Sequence, residues 1–118
     1  MATLILVVDD EEQLATMASY ILARVGYRVI MATSGRQAID LWDEEVALLL
    51  TDFIMPDICG DQLAMLLLKR KPTLKVIFMS GSPIDSLTTC IPLREDFNFL
   101  QKPFGIEKLV SLVHSALN

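Results

Sequence analysis

Long apolar runs, a basic excess, a glycine cluster and a cysteine framework are all missing from this chain of 118 residues. No hydrophobic stretch reaches the ~20 residues that cross a bilayer, and no basic segment followed by a long apolar run opens the chain. The expectation is a cytoplasmic protein without membrane insertion. Fifteen acidic residues against ten Lys plus Arg give a net charge of -5 and no basic patch, which disfavours direct binding to nucleic acid. Only Cys59 and Cys90 carry thiols, without metal-type spacing or disulfide density, and they read as unpaired structural cysteines. The single histidine, His114, falls in the last turn of a terminal helix, where positive charge suits the helix dipole. Gly26, Gly35 and Gly60 read as ordinary turn or cap residues, and Gly81 as a place where backbone approaches a ligand.

What is present is enough apolar material, 53% of the residues, for one domain spanning residues 1–118. TLILVV (3–8) is apolar throughout after its first residue and rich in branched side chains, the mark of a strand covered on both faces. Leu14, Met17, Ala18, Ile21, Leu22 and Val25 then recur at helical spacing, and Gly26 supplies the stop. YRVIMAT resumes strand character. SGRQAIDLWDEE reads as a short helix with Ser34 as its cap, and VALLLTD as a second fully apolar strand. A Pro- and Gly-punctuated loop, IMPDICGD, precedes the helix QLAMLLLKRK. LKVIFMSG is a fourth strand and NFLQKPF a short fifth, with the apolar stripe of a last helix following from Ile106 to Leu117. Between them, PIDSLTTCIPLRED has room for only a short helix between Pro83 and Pro92. Five alternations of strand and helix predict an α/β fold, a parallel sheet covered by helices on both faces.

In such a sheet the carboxyl ends of the strands share one edge, where open α/β folds build their sites. Asp9 and Asp10 end the first strand, Asp52 the third and Ser80 the fourth, while Lys102 follows the fifth. Two carboxylates 4 Å apart repel by about 4 kcal/mol at an effective dielectric near 20, so three of them require a counter-charge. A hard dication with oxygen ligands fits. Magnesium is favoured over calcium because calcium-loop spacing is absent, and over zinc because neither cysteine lies near the acids in sequence. The metal and Lys102 together suit a phosphoryl group, Ser80 adds a hydroxyl donor, and one carboxylate remains as nucleophile. Asp57 and Asp61 read as solvent-facing charges of a turn and a helix start. Phe53 reads as packing or as a shield of the site rim, and Trp42 as a core filler.

The acid pair, Asp52 followed by Met55-Pro56 and Gly60, then Ser80-Gly81 and Lys102-Pro103-Phe104 together resemble the receiver domain of two-component response regulators, across essentially the whole chain. The stretches FMSG and FLQKPF resemble in particular the C-terminal receivers of hybrid sensor histidine kinases. The resemblance implies a doubly wound (βα)5 flavodoxin-like sheet of order 2-1-3-4-5. It implies Asp52 as phosphoacceptor and magnesium held by Asp9, Asp10, Asp52 and the main-chain carbonyl of Ile54. It further implies Lys102 on the phosphoryl oxygens, Ser80 and Phe99 as switch residues, and a cis bond before Pro103 that aims the lysine inward. The implied partner is a histidine kinase or histidine phosphotransfer domain; a downstream effector and a homodimer are compatible with the family. Two other functions stay open at this point: a binding module that works without phosphorylation, and a phosphatase turning over external substrates through an aspartyl phosphate.

Overall fold

The computed structural model describes residues 2–118. Five parallel strands, β1 (Leu4–Val8), β2 (Arg28–Ala32), β3 (Val46–Asp52), β4 (Lys75–Ser80) and β5 (Phe99–Gln101), form one sheet of order β2-β1-β3-β4-β5. Four α-helices cover it: α1 (Glu12–Arg24), α2 (Gly35–Asp40), α3 (Gly60–Arg70) and α4 (Ile106–Leu117). This is the doubly wound, flavodoxin-like architecture and the strand order that the sequence leads one to expect.

The alternation of side chains along each strand divides the core in two. Ile5, Val7, Leu48, Leu50, Ile77 and Met79 point to one face, where α1 and α4 cover them with Ala18, Leu22, Leu109 and Val113. Leu4, Leu6, Leu49, Phe78 and Phe99 point to the other, under α2 and α3, with Ala38, Leu63 and Leu67. Complete burial of a leucine contributes about 1.5–3 kcal/mol, so these strands are held chiefly by their continuous apolar character.

Local signals place the helix ends. Ser34 Oγ accepts a hydrogen bond from the Gln37 N–H at 3.0 Å, as its cap assignment requires. Helix α1 stops at Gly26, whose φ of +106° lies in the region that favours glycine.

The largest departure from expectation lies between β4 and β5. The short helix expected between Pro83 and Pro92 is only a single 3-10 turn, Ile84–Ser86, and the rest of that crossover has no helix. Ile84, Leu87, Ile91 and Leu93 nevertheless tuck half-buried against the α2/α3 face. Polar side chains hold the backbone instead: Asn98 Oδ1 accepts from the Arg94 N–H at 2.8 Å, and its Nδ2 donates to the Pro92 carbonyl at 2.9 Å. Helix α2 is also shorter than SGRQAIDLWDEE suggests; it ends at Asp40, and the Trp42 indole, packed on the core edge, donates to Glu44 at 2.9 Å. Among the described residues no helix is long and apolar enough to cross a membrane.

Candidate phosphoryl-transfer site

The carboxyl ends of β1 and β3 are adjacent because Val8 pairs with Thr51 in register, so Asp9 and Asp52 emerge side by side. One carboxylate oxygen from each of Asp9, Asp10 and Asp52 lies within 4.8 Å of the others. Asp9 is fully buried and Asp52 nearly so, while Asp10 is exposed. From β5 the chain turns back through a cis Lys102–Pro103 peptide, and the Lys102 ammonium reaches three carboxylates: Asp9 at 2.9 Å, Asp52 at 3.3 Å and Glu11 at 3.3 Å. The main chain ties the same corner together, with the Lys102 N–H donating to the Ser80 carbonyl at 2.8 Å.

Charge is crowded here. Burial, and then the neighbouring Asp9 charge, push the Asp52 carboxyl up to about 6, against the opposing pull of Lys102. Asp9 is also raised, again chiefly by burial, although the hydrogen bond to Lys102 opposes it. Burial alone would lower Lys102, but its contacts with Asp9 and Asp52 outweigh that and keep it above its ordinary value. Asp9 Oδ1 accepts from the Glu11 N–H at 2.9 Å, whereas the buried Oδ2 has the Lys102 ammonium at 2.9 Å and no other donor. An under-satisfied buried carboxylate oxygen beside two further acids is the donor set of a hard divalent cation. The triad is positioned to chelate such a metal, and oxygen-only donors suit magnesium. Neither cysteine belongs to this acid group.

The other anticipated residues fall around this pocket. Ser80 is buried at the end of β4, one residue beyond Met79, which pairs with Asp52; its Oγ accepts from the Ser82 N–H at 3.0 Å. Phe99 is buried in β5 opposite Phe78. Ile54 exposes its side chain just past Asp52, and Pro103 follows Lys102 at the surface. His114 is exposed in the last turn of α4. Phe53 serves packing: it is buried and meets Phe78 edge-on with ring centroids 5.6 Å apart.

Several features were not anticipated. Glu11, the third acid of the run, shares Lys102; its place in DDEE is the only sequence signal for that. Asp61 is buried rather than solvent-facing: its Oδ2 accepts from the Cys90 N–H at 3.4 Å, because the irregular crossover folds over the start of α3. Asp57 is exposed, but its carboxylate bonds the first turn of α2 rather than solvent alone. Gly60 is no ordinary cap, since a Cβ there would meet the Asp52 carbonyl at 2.3 Å; Gly81 by contrast has open space.

Fold and site together define a metal-binding α/β domain with an aspartate–lysine pocket at the carboxyl edge of its sheet. The family model for the response regulator receiver domain matches residues 5–114. The chain belongs to that family. It is 38% identical over 123 residues to the DNA-binding transcriptional regulator NtrC of Azospirillum brasilense, covering 99% of this chain and 24% of that protein. It is 34% identical over 116 residues to the sensor kinase CckA of Brucella abortus, covering 96% of this chain and 12% of the kinase. The chain thus spans a quarter or less of the length of these two relatives. The crystal structure of the receiver domain from the hybrid histidine kinase CckA superposes with a TM-score of 0.80 at 31% identity, covering 98% of this chain and 99% of that one.

Proposed function

We propose that the chain works as a single receiver unit, a phosphoryl-accepting switch in a two-component phosphorelay, with a phosphohistidine of a kinase or phosphotransfer domain as donor. The observation that carries this reading is the Lys102 ammonium held between Asp9 and Asp52 at the mouth of the acid triad.

Asp52 is the nucleophile. Its carboxylate attacks phosphorus, the P–N bond to the donor imidazole breaks, and an acyl phosphate forms on Asp52; later attack by water returns the carboxylate and inorganic phosphate. Without metal the Asp52 carboxyl is pushed up to about 6 by burial and the Asp9 charge, and a dication in the pocket would favour its ionised, nucleophilic form. Asp9, Asp10, Asp52 and the Ile54 main-chain carbonyl would hold magnesium, which would supply positive charge to the phosphoryl oxygens. Lys102, already desolvated and protonated, exchanges a carboxylate partner for a phosphoryl oxygen. Ser80, whose Oγ accepts from the Ser82 N–H, keeps its hydroxyl proton free to donate to the same group. Phe99 has no hydroxyl, so it reports the change through ring packing alone. The added charge of about -1.5 to -2 biases the surrounding loops toward a second arrangement.

The test is phosphate incorporation from phosphoramidate, with and without magnesium, in the intact chain and in Asp52→Asn, read by intact mass. A magnesium-dependent, base-labile adduct of one phosphate that disappears in the variant is the expected result. An adduct that persists in Asp52→Asn, or its absence from folded, magnesium-loaded protein offered a phosphohistidine donor as well, overturns the assignment.

A further inference from the structure

The loop from Asp52 to α3, residues 53–59, is fixed at its base by main-chain bonds. The Phe53 N–H donates to the Met79 carbonyl at 2.8 Å, and the Gly60 N–H donates to the Phe53 carbonyl at 2.6 Å. Its far end is fixed differently. Asp57 reaches across to α2, where Oδ1 accepts from the Gly35 N–H at 3.3 Å and Oδ2 from the Arg36 N–H at 2.9 Å. Ile58 fills the space beside Gly35, with its Cγ2 2.0 Å from where a Cβ would stand. The Arg36 hydrogen bond, the largest influence on Asp57, holds its carboxyl below the usual range.

Helix α2 already has a cap of its own. Ser34 serves Gln37, whereas Asp57 serves Gly35 and Arg36, so two side chains divide the first-turn donors between them. Ser34 is local and holds only the helix. Asp57 comes from 21 residues away from Arg36, and its bonds also close a ring through the loop that leaves the phosphoacceptor. The platform it grips is itself anchored: the Thr33 N–H donates to Gln37 Oε1 at 2.6 Å, and the Asp9 N–H donates to the Ala32 carbonyl at 3.1 Å.

From this geometry we infer that Asp57 is a positioning residue for the metal site: by pinning residues 53–59 to α2 it fixes the Ile54 main chain, two residues past Asp52. The inference rests on the reading of the acid pocket as a magnesium site. Groups next to a metal's ligands typically alter affinity 10- to 100-fold when removed; the Asp57 tether acts through three residues of loop, and its loss weakens magnesium about five- to ten-fold.

The experiment compares Asp57→Ala, Asp57→Asn and Ser34→Ala with the intact chain. Magnesium affinity is measured by calorimetry, and amide exchange is followed across residues 53–59 with and without magnesium. Asp57→Ala weakens magnesium and loses protection across the loop. Asp57→Asn, which has no charge but keeps one acceptor oxygen, recovers part of both. Ser34→Ala, which also removes one α2 cap, leaves affinity within about two-fold. Equal losses in Ser34→Ala and Asp57→Ala, or unchanged affinity in both Asp57 variants, overturn the inference and leave Asp57 a helix cap. Equal losses in Asp57→Ala and Asp57→Asn reduce its role to charge and overturn it too. Failure of the intact chain to bind magnesium overturns the pocket reading itself, and the inference with it.

Discussion

The two faces of the sheet are closed by different means. On one, α1 and α4 lie over Ile5, Val7, Leu48 and Leu50, and their backbones satisfy themselves internally. On the other, only α3 is a long helix; α2 has six residues, and the β4–β5 crossover contributes loose apolar contacts held by Asn98 and Asp61. A helix brings its own hydrogen bonds to a covering layer, whereas an irregular segment must borrow them from side chains elsewhere. The helix-poor face also carries Phe99 and the loop that leaves Asp52, so the elements proposed to switch lie on the face with fewer cooperative bonds.

The largest test of that contrast is a matched truncation. Leu22→Ala, from a fully buried position under α1, should cost about 2–5 kcal/mol in urea unfolding, whereas Leu87→Ala on the crossover should cost about 1 kcal/mol or less. Equal losses would remove the distinction between the faces.

A second test separates the faces from the seam between them. The Asp52 carboxyl is raised from the usual 3.8 to about 6, so between those values the folded chain binds a proton that the unfolded chain does not. Stability from this group is therefore highest at the acid end and falls as pH rises through about 6. The ionised carboxylate costs on the order of 1–3 kcal/mol at neutral pH. Asp52→Asn should accordingly unfold at a higher temperature than the intact chain at pH 7.5 without metal, with the advantage fading as pH falls through 6 toward 4. Asp9, raised in the same direction, adds to the trend in both proteins. Because Asp52 ends a central strand, exchange protection should rise on both faces together.

The smallest expected effect is local. Asn98→Ala removes two bonds from the crossover, at a cost of about 1–2 kcal/mol. Amide exchange should quicken over residues 90–97 and stay unchanged in α1 and α4. A global loss of protection would show that the crossover is as integral as the helices.

The same contrast governs how much was legible beforehand. β1 is apolar throughout, β3 and β4 are built on the apolar runs VALLL and VIFM, and α1 and α4 have one clear stripe, so these patterns place them. The closure of Asp9, Asp52 and Lys102 follows once those runs are recognised as parallel strands, since strand ends share an edge, whereas the strand order is implied only by the resemblance to receiver domains. The crossover resisted reading because its stability resides in pairings such as Asp61 with Cys90, between residues 29 apart, which no local pattern records. Asp57 resisted for the same reason: an aspartate in a Pro-containing loop looks like any turn residue until α2 is brought beside it. Gly60 differs again, because its lack of a side chain matters only once the Asp52 carbonyl is known to lie against it.

Lys102 is one cation among Asp9, Asp10, Glu11 and Asp52, so the fully ionised pocket carries four negative charges against one positive, a formal balance of -3. A phosphoryl donor is itself an anion and is turned away by that balance. A divalent ion would change -3 to -1 and so remove most of that repulsion. Charge alone thus favours ion before donor, and under the proposed function the free magnesium of the surroundings would be an input alongside the phosphohistidine.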